Sequence, residues 1–359
     1  MTTGITFRIA VIPGDGIGNE VVPEGLRALD ALAAQSSGHI AFDYQHFPWG
    51  CDHYLKTGRM MDDDALDDLR DFDAIYFGAV GWPGVPDHIS LWGLRLAICQ
   101  GFDQYACVRP VKLLPGIESP LRNATVETID WIVVRENVEG EYAGIGGRNL
   151  VGRGPGKEVA IQAALFTEEG CERIIRYAFE LAMSRPRKKV TSVTKSNAQQ
   201  YGMVLWDEVF DRIAAEYSQV ETEAWLVDAM AARFVLRPET LDVVVGSNLF
   251  GDILSDLGSA LAGSLGIAAS ANIDPLRRYP SMFEPVHGSA PDIAGKGIAN
   301  PIAAIWSVAM MLDHLGLGNE AAQVMRAIEA TTASGTVTPD LGGKATTTEM
   351  GDAVLQNLI

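Results

Sequence analysis

Asn248-Leu-Phe-Gly-Asp252-Ile-Leu-Ser-Asp256 is the stretch from which the rest of the chain can be read. Side chains four residues apart leave a helix on the same side, so Asp252 and Asp256 can grip one cation between them. The preceding run, Leu241-Asp-Val-Val-Val-Gly-Ser247, reads as a buried strand, and Gly251 with Asp252 opens a helix through Leu254, Leu257, Leu261 and Leu265. An Asp at such a junction more often caps the helix and complements its positive end. Asp256 does not fit that simpler role, because it lies a turn further on in a Gly- and Ala-rich segment with few other charges. A carboxylate pair offering only oxygen suits Mg²⁺ or Mn²⁺ better than zinc.

The chain has 359 residues, enough for two domains or two lobes of one intertwined chain, and 47% of them are apolar, enough for sizeable cores. Twenty-eight basic residues against 46 acidic give a formal charge of −18, which repels phosphate backbones and anionic lipid surfaces unless a local cluster of cations intervenes. Nucleic acid is therefore not an expected partner, and an anionic substrate requires a nest of Arg or Lys. Cys51, Cys99, Cys107 and Cys171 form no C-x-x-C pair and no zinc spacing; they fit reduced core thiols of a cytoplasmic protein. Neither a basic start followed by a long apolar run nor an apolar stretch of membrane-spanning length is evident, so no membrane partner is expected.

Phe7-Arg-Ile-Ala-Val-Ile12 reads as a strand, followed by Pro13-Gly-Asp-Gly-Ile-Gly18 and a helix through Val22, Leu26, Leu29 and Leu32. A glycine-rich turn between strand and helix suggests phosphate binding, yet the spacing is not G-x-G-x-x-G and no clear second strand ends in a ribose-binding acid. A tight turn explains these glycines equally well. Asp73–Gly78 is a further strand. Arg109 and Arg135 each end an apolar run, where they can clamp a carboxylate or simply pair at the surface. Thr167 starts a helix with the apolar stripe Cys171, Ile174, Ile175, Ala178 and Leu181. Lys195 follows the strand Lys189–Thr194 and is an acid or base if burial near a metal depresses its pKa, and a solvated lysine otherwise. Asp228 ends the run Glu223-Ala-Trp-Leu-Val, where a helix cap is the simpler role. Met282 to Pro301 is a long loop punctuated by Gly and Pro, the kind that carries function.

Four ordered motifs, Gly14 to Gly18, Val134-Arg-Glu-Asn-Val-Glu-Gly-Glu-Tyr142, Asn248 to Asp256 and Glu284 to Pro301, together resemble the metal-dependent β-decarboxylating dehydrogenases. That family includes isocitrate, 3-isopropylmalate and tartrate/D-malate dehydrogenases, and the resemblance covers essentially the whole chain. It implies an α/β, two-lobed fold that is not a Rossmann fold. Residues 1–104 and 263–359 would form the larger lobe with the cofactor loops, and 105–262 a central lobe with the dimer interface. It implies a homodimer with shared active sites: Asp252 and Asp256 hold Mg²⁺ or Mn²⁺ with Asp228 of the other subunit, and Lys195, also from that subunit, is the base for the substrate hydroxyl. Tyr142 would protonate the enol, and Arg109 and Arg135 would bind substrate carboxylates. Glu284, His287, Gly288, Ser289, Ala290, Asp292 and Asn300 would line the cofactor site, with Asp292 favouring NAD over NADP because a carboxylate repels a 2′-phosphate.

Gly78-Ala-Val-Gly-Trp82-Pro and Pro86-Asp-His88-Ile-Ser-Leu-Trp92-Gly look like the tartrate/D-malate branch. The expected activity is NAD- and metal-dependent oxidative decarboxylation of a small (2R)-hydroxy diacid, D-malate or tartrate. A 3-isopropylmalate dehydrogenase is the alternative, and a non-catalytic regulatory subunit the rival of another class. The family's first clamp arginine usually stands ten residues before the second, where this chain has Cys99. Arg95, one helical turn earlier, is the candidate replacement.

Overall fold

The computed structural model describes residues 4–358. In chain order its strands are β1 (Ile5–Gly14), β2 (Ile40–His46), β3 (Ala74–Ala79), β4 (Ala106–Lys112), β5 (Asp130–Glu136), β6 (Gly146–Asn149), β7 (Val159–Gln162), β8 (Lys189–Thr194), β9 (Glu221–Leu226), β10 (Val243–Gly246), β11 (Ala269–Ile273) and β12 (Ser281–Pro285). The helices are α1 (Gly18–Gln35), α2 (Cys51–Thr57), α3 (Ala65–Leu69), α4 (Asp87–Gly93), α5 (Arg95–Gly101), α6 (Glu168–Ser184), α7 (Gly202–Ala214), α8 (Val227–Leu236), α9 (Asn248–Leu261), α10 (Ile302–His314), α11 (Gly318–Ala333) and α12 (Thr347–Leu358).

Ten strands form one sheet in the order β2-β1-β3-β12-β11-β4-β5-β10-β8-β9, and β6 with β7 forms a separate hairpin. The centre of the sheet is antiparallel, β12 to β11 to β4 to β5, and both flanks are parallel. This mixed order differs from the doubly wound parallel sheet of a Rossmann domain, as the resemblance implies. Strands covered on both faces are continuously apolar, as in β3 and β10, whose residues are all buried. Strand β2, at the sheet edge, has no fully buried residue and alternates half-buried with exposed positions; without an apolar run, and with His, Asp and Gln in the stretch, it was not evident in the sequence.

The cap of α6 forms as expected, with Thr167 Oγ1 accepting from Gly170 N at 2.9 Å. The glycine turn after β1 is a clasp between loops. Gly16 has φ +53°, and a Cβ there would stand 2.1 Å from the Ser289 carbonyl; the next amide, Ile17 N, donates to that same carbonyl at 2.9 Å. Asp15 is buried and accepts from the amides of Cys51 and Gly81 at 2.7 and 2.8 Å.

Several expectations need correction: Met282–Pro285, read as the start of a long loop, belongs to β12, and the helix read as running through Leu265 ends at Leu261. Helix α9 begins at Asn248, with Ser247 as its N-cap residue, and not at Gly251 and Asp252. Asp252 therefore stands in the second turn, and capping does not explain it. Asp228 likewise is no cap, since it is the second residue of α8 behind Leu226.

Candidate active site

Strand register gathers the charged groups. In the antiparallel centre, residues directly opposite one another share a face, so the pairs Cys107 with Arg135, Asn272 with Cys107 and Ser270 with Glu284 lie on one side. Arg109, two residues beyond Cys107, joins them. Helix α9 packs over this face, and Gly251 permits the approach: a Cβ there would lie 2.6 Å from Cβ of Arg135. A cavity of about 200 Å³ opens between this face and the end of β3, lined by Arg95, Arg109, Arg135, Tyr142, Asp252, Glu284, His287 and Gly288 among others.

Asp252 is the hub. Its Oδ1 accepts from Arg109 Nη1 at 3.1 Å and from Arg135 Nη1, and its Oδ2 accepts from the Tyr142 hydroxyl at 3.0 Å. Arg109 is braced by Ser255 Oγ at 2.7 Å, and Arg135 by Asn248 Oδ1 at 3.0 and 2.7 Å. Both guanidinium groups are buried, so the surface-pairing alternative fails for them. Burial pushes the Asp252 carboxyl up, but Arg135 and Arg109 outweigh it and hold the group below its ordinary value. Asp256, one turn on, lies 3.7 Å from Arg109 Nη1 and is more exposed; burial, with Asp252 adding to it, raises its pKa. Burial, then the neighbouring Asp252, also raises that of Tyr142 against the pull of Arg135, so the phenol holds its proton at neutral pH.

Lys195 and Asp228 stand elsewhere, at the β8–β9 end of the sheet. They bond to each other, and the cavity lining includes neither. The Lys195 ammonium holds the Asp228 carboxyl below its usual range. Among the described residues, no group of three or more His, Cys, Asp or Glu within a chain is arranged to hold a metal.

The loop after β12 frames a second cavity, lined by Ile17, His287, Ala290, Asn300 and Asp340 among others. His287 Nδ1 lies 3.0 Å from the Gly288 carbonyl, while its buried Nε2 has no partner among the described residues. Burial lowers the His287 pKa, so Nε2 is an unprotonated acceptor. Asn300 Nδ2 donates to Asp340 Oδ2 at 3.0 Å. Ser289 is buried, whereas Asp292 is exposed and outside the cavity lining. Asp340 went unnoticed in the sequence, 40 residues beyond Asn300 and in an ordinary turn. Arg95 reaches the first cavity from the start of α5, whereas Cys99 sits one turn deeper, fully buried and outside the lining. Two contacts across the cleft also escaped the sequence: Gln100 Nε2 donates to the Tyr142 carbonyl at 2.8 Å, and Trp92 abuts Gly144.

Residues 8–354 match the family model described as isocitrate/isopropylmalate dehydrogenase, and the chain belongs to that family of enzymes. Within it the chain is 59% identical over 348 residues, 97% of its length and 96% of the relative's, to a probable tartrate dehydrogenase/decarboxylase of Agrobacterium vitis. It is 54% identical to the decarboxylating D-malate dehydrogenase of Escherichia coli K12 over 361 residues, 99% of each chain. The crystal structure of isocitrate dehydrogenase from Methylococcus capsulatus superposes with a TM-score of 0.87 at 37% identity, covering 98% of this chain and 99% of that one. No helix of the described residues is long and apolar enough to cross a membrane.

Proposed function

We propose that the protein catalyses NAD-dependent, divalent-metal-dependent oxidative decarboxylation of a small (2R)-hydroxy diacid, D-malate or tartrate. The observation that carries this reading is the Asp252 hub, where two buried arginines and a protonated tyrosine converge on a carboxylate beside a second carboxylate. The names of the relatives, tartrate dehydrogenase/decarboxylase and D-malate dehydrogenase, support the substrate class.

An all-oxygen donor set of Asp252, Asp256 and Asp228 of a second copy fits Mg²⁺ or Mn²⁺. The unpartnered Nε2 of His287 fits the exocyclic amine of an adenine, with Asn300 and Asp340 in the same cavity, and the exposed Asp292, two residues after Ala290 of the lining, fits a ribose hydroxyl. Bound there, the ion supplies charge stabilisation at the C2 oxygen and the dinucleotide the hydride acceptor. Arg95, Arg109 and Arg135 bind and orient the two substrate carboxylates. Lys195 of the second copy takes the C2 hydroxyl proton. Oxidation at C2 leaves a carboxylate β to the new carbonyl, which departs as CO₂, and Tyr142 delivers its proton to C3 of the enol.

A homodimer follows from the same reading. Leu236 on α8 is 73% exposed, Ile253 on α9 56% and Ile161 on the hairpin 66%, an apolar set that a second copy would cover. The reading keeps residues 1–104 with 263–359 as one lobe and 105–262 as the other, and a cytoplasmic setting, which suits four free, buried cysteines.

The test is NADH formation with Mg²⁺ or Mn²⁺ across D-malate, L- and meso-tartrate, 3-isopropylmalate and isocitrate. Turnover of D-malate or a tartrate, with loss of carbon as CO₂, is expected; silence on every diacid would refute the reading.

A further inference from the structure

We infer that Glu284, together with Asn272, is a positioning residue that fixes where Arg95 presents its charge, and so sets the fit of the substrate's far carboxylate. The inference rests on the dicarboxylate reading above and deepens it. Arg109 and Arg135 are both tied to Asp252. Arg95 has no such tie. It enters from a helix, whereas Arg109 and Arg135 stand on strands, and it follows the break at Leu94, whose φ of −133° and ψ of −78° separate α4 from α5.

A closed set of buried bonds holds it instead. Glu284 Oε1 accepts from Arg95 Nε at 2.8 Å and lies 2.7 Å from Nη2. Arg95 Nη2 also donates to Asn272 Oδ1 at 3.1 Å, and Asn272 Nδ2 donates to the same Glu284 oxygen at 2.7 Å. Asn137 Nδ2 closes the far side, donating to Asn272 Oδ1 and to the Gln104 carbonyl, each at 3.0 Å. Arg95, Glu284, Asn272 and Asn137 are all buried. One edge of the guanidinium is therefore committed to protein, whereas Nη1 makes no hydrogen bond among the described residues and Arg95 lines the cavity. A planar fork held along one edge presents the other in a fixed orientation. An arginine at position 99 would approach one turn further along α5; here the charge comes from the head of the helix, and Glu284 determines its reach.

Glu284 itself makes the arrangement testable, because a carboxylate facing a dianion is unfavourable unless paired. If its only influence were Coulombic, removing it would tighten dianion binding. If it positions Arg95, removing it weakens binding, and the sign reverses once Arg95 is gone.

The experiment is calorimetric titration of the full chain with D-malate and Mg²⁺, without dinucleotide, on wild type, Glu284→Ala, Arg95→Met and the double variant. The expected result is a roughly tenfold or greater rise in Kd for Glu284→Ala, but an unchanged or lower Kd when the same change is made in the Arg95→Met background. NAD⁺ affinity should move less than that for D-malate. Glu284→Gln, which keeps the side-chain volume, should act in the same direction with smaller effect and stands in if the alanine variant fails to fold. Tighter binding by Glu284→Ala, equal weakening in both backgrounds, or an effect mainly on NAD⁺ would overturn the inference alone. A wild type that binds neither D-malate nor a tartrate would instead refute the functional reading and this inference with it.

Discussion

Asp252 and Asp228 are both carboxylates proposed for one metal, and the chain holds them in opposite circumstances. Asp252 is clasped by two buried arginines and a tyrosine on the face of the central strands. Asp228 is two-thirds exposed at the far end of the sheet, paired with Lys195. The first arrangement is built into the fold, so disturbing it touches both stability and chemistry. The second contributes little to the fold of its own chain, which suits a group that completes the site of another copy.

Substitutions on the two sides should therefore separate. Asp252→Asn should lower kcat/KM by roughly 10³-fold, equivalent to about 4 kcal/mol, and also lower Tm, because it leaves two buried guanidinium groups short of their counter-charge. Lys195→Ala should abolish NADH formation to a comparable degree while leaving Tm unchanged, since an exposed ion pair contributes little. Thermal melts and steady-state rates on the two variants decide it; a large fall in Tm for Lys195→Ala would break the distinction.

Cys99→Arg probes the boundary of the buried side. It restores the family's ten-residue spacing but places a second cation in a fully buried position one turn from Arg95. The expected outcome is destabilisation by about 3 kcal/mol or more, read by urea unfolding, with no gain in substrate affinity.

The rear of the same strands makes a further contrast. Val108, Pro110, Ile132, Ala271 and Ile273 face a groove there, with His314 at its wall. Burial, then Arg277, depresses the His314 pKa from 6.5 to about 4 against the opposing pull of Asp274. A depressed imidazole favours the folded state fully above its unfolded pKa, and that contribution is lost as pH falls from about 6.5 towards 4. Relative to pH 7, the loss at pH 5 is about 2 kcal/mol. His314→Phe, which keeps a ring against Phe283, should remove most of that share of the acid destabilisation without changing kcat/KM at pH 7.5.

These contrasts also mark what the sequence could convey. The carboxylate pair, the arginines on β4 and β5 that end apolar runs, and the loop after β12 were legible because each depends on local spacing. The start of α9 was not, because Gly246, Ser247 and Asn248 in succession allow several starting points and the Ser247 hydroxyl makes no capping bond. Neither was the bond between Arg95 and Glu284, which joins residues 189 positions apart, nor Asn272, marked only by polar Ser270 and Asn272 alternating with apolar neighbours. The β6–β7 hairpin escaped notice because its strands are wholly exposed and lack a buried face to impose a pattern.

The central claim is that each chain carries two half-sites that function only across copies. Lys195→Ala and Tyr142→Phe disable opposite halves, so hybrids of the two variants contain one intact site. The two inactive proteins should be mixed under conditions of demonstrated subunit exchange and assayed for NADH formation with D-malate. Recovery approaching a quarter of wild-type activity is expected, since half the dimers are hybrids with one good site in two. No recovery despite exchange would contradict the account and place a complete site within each chain.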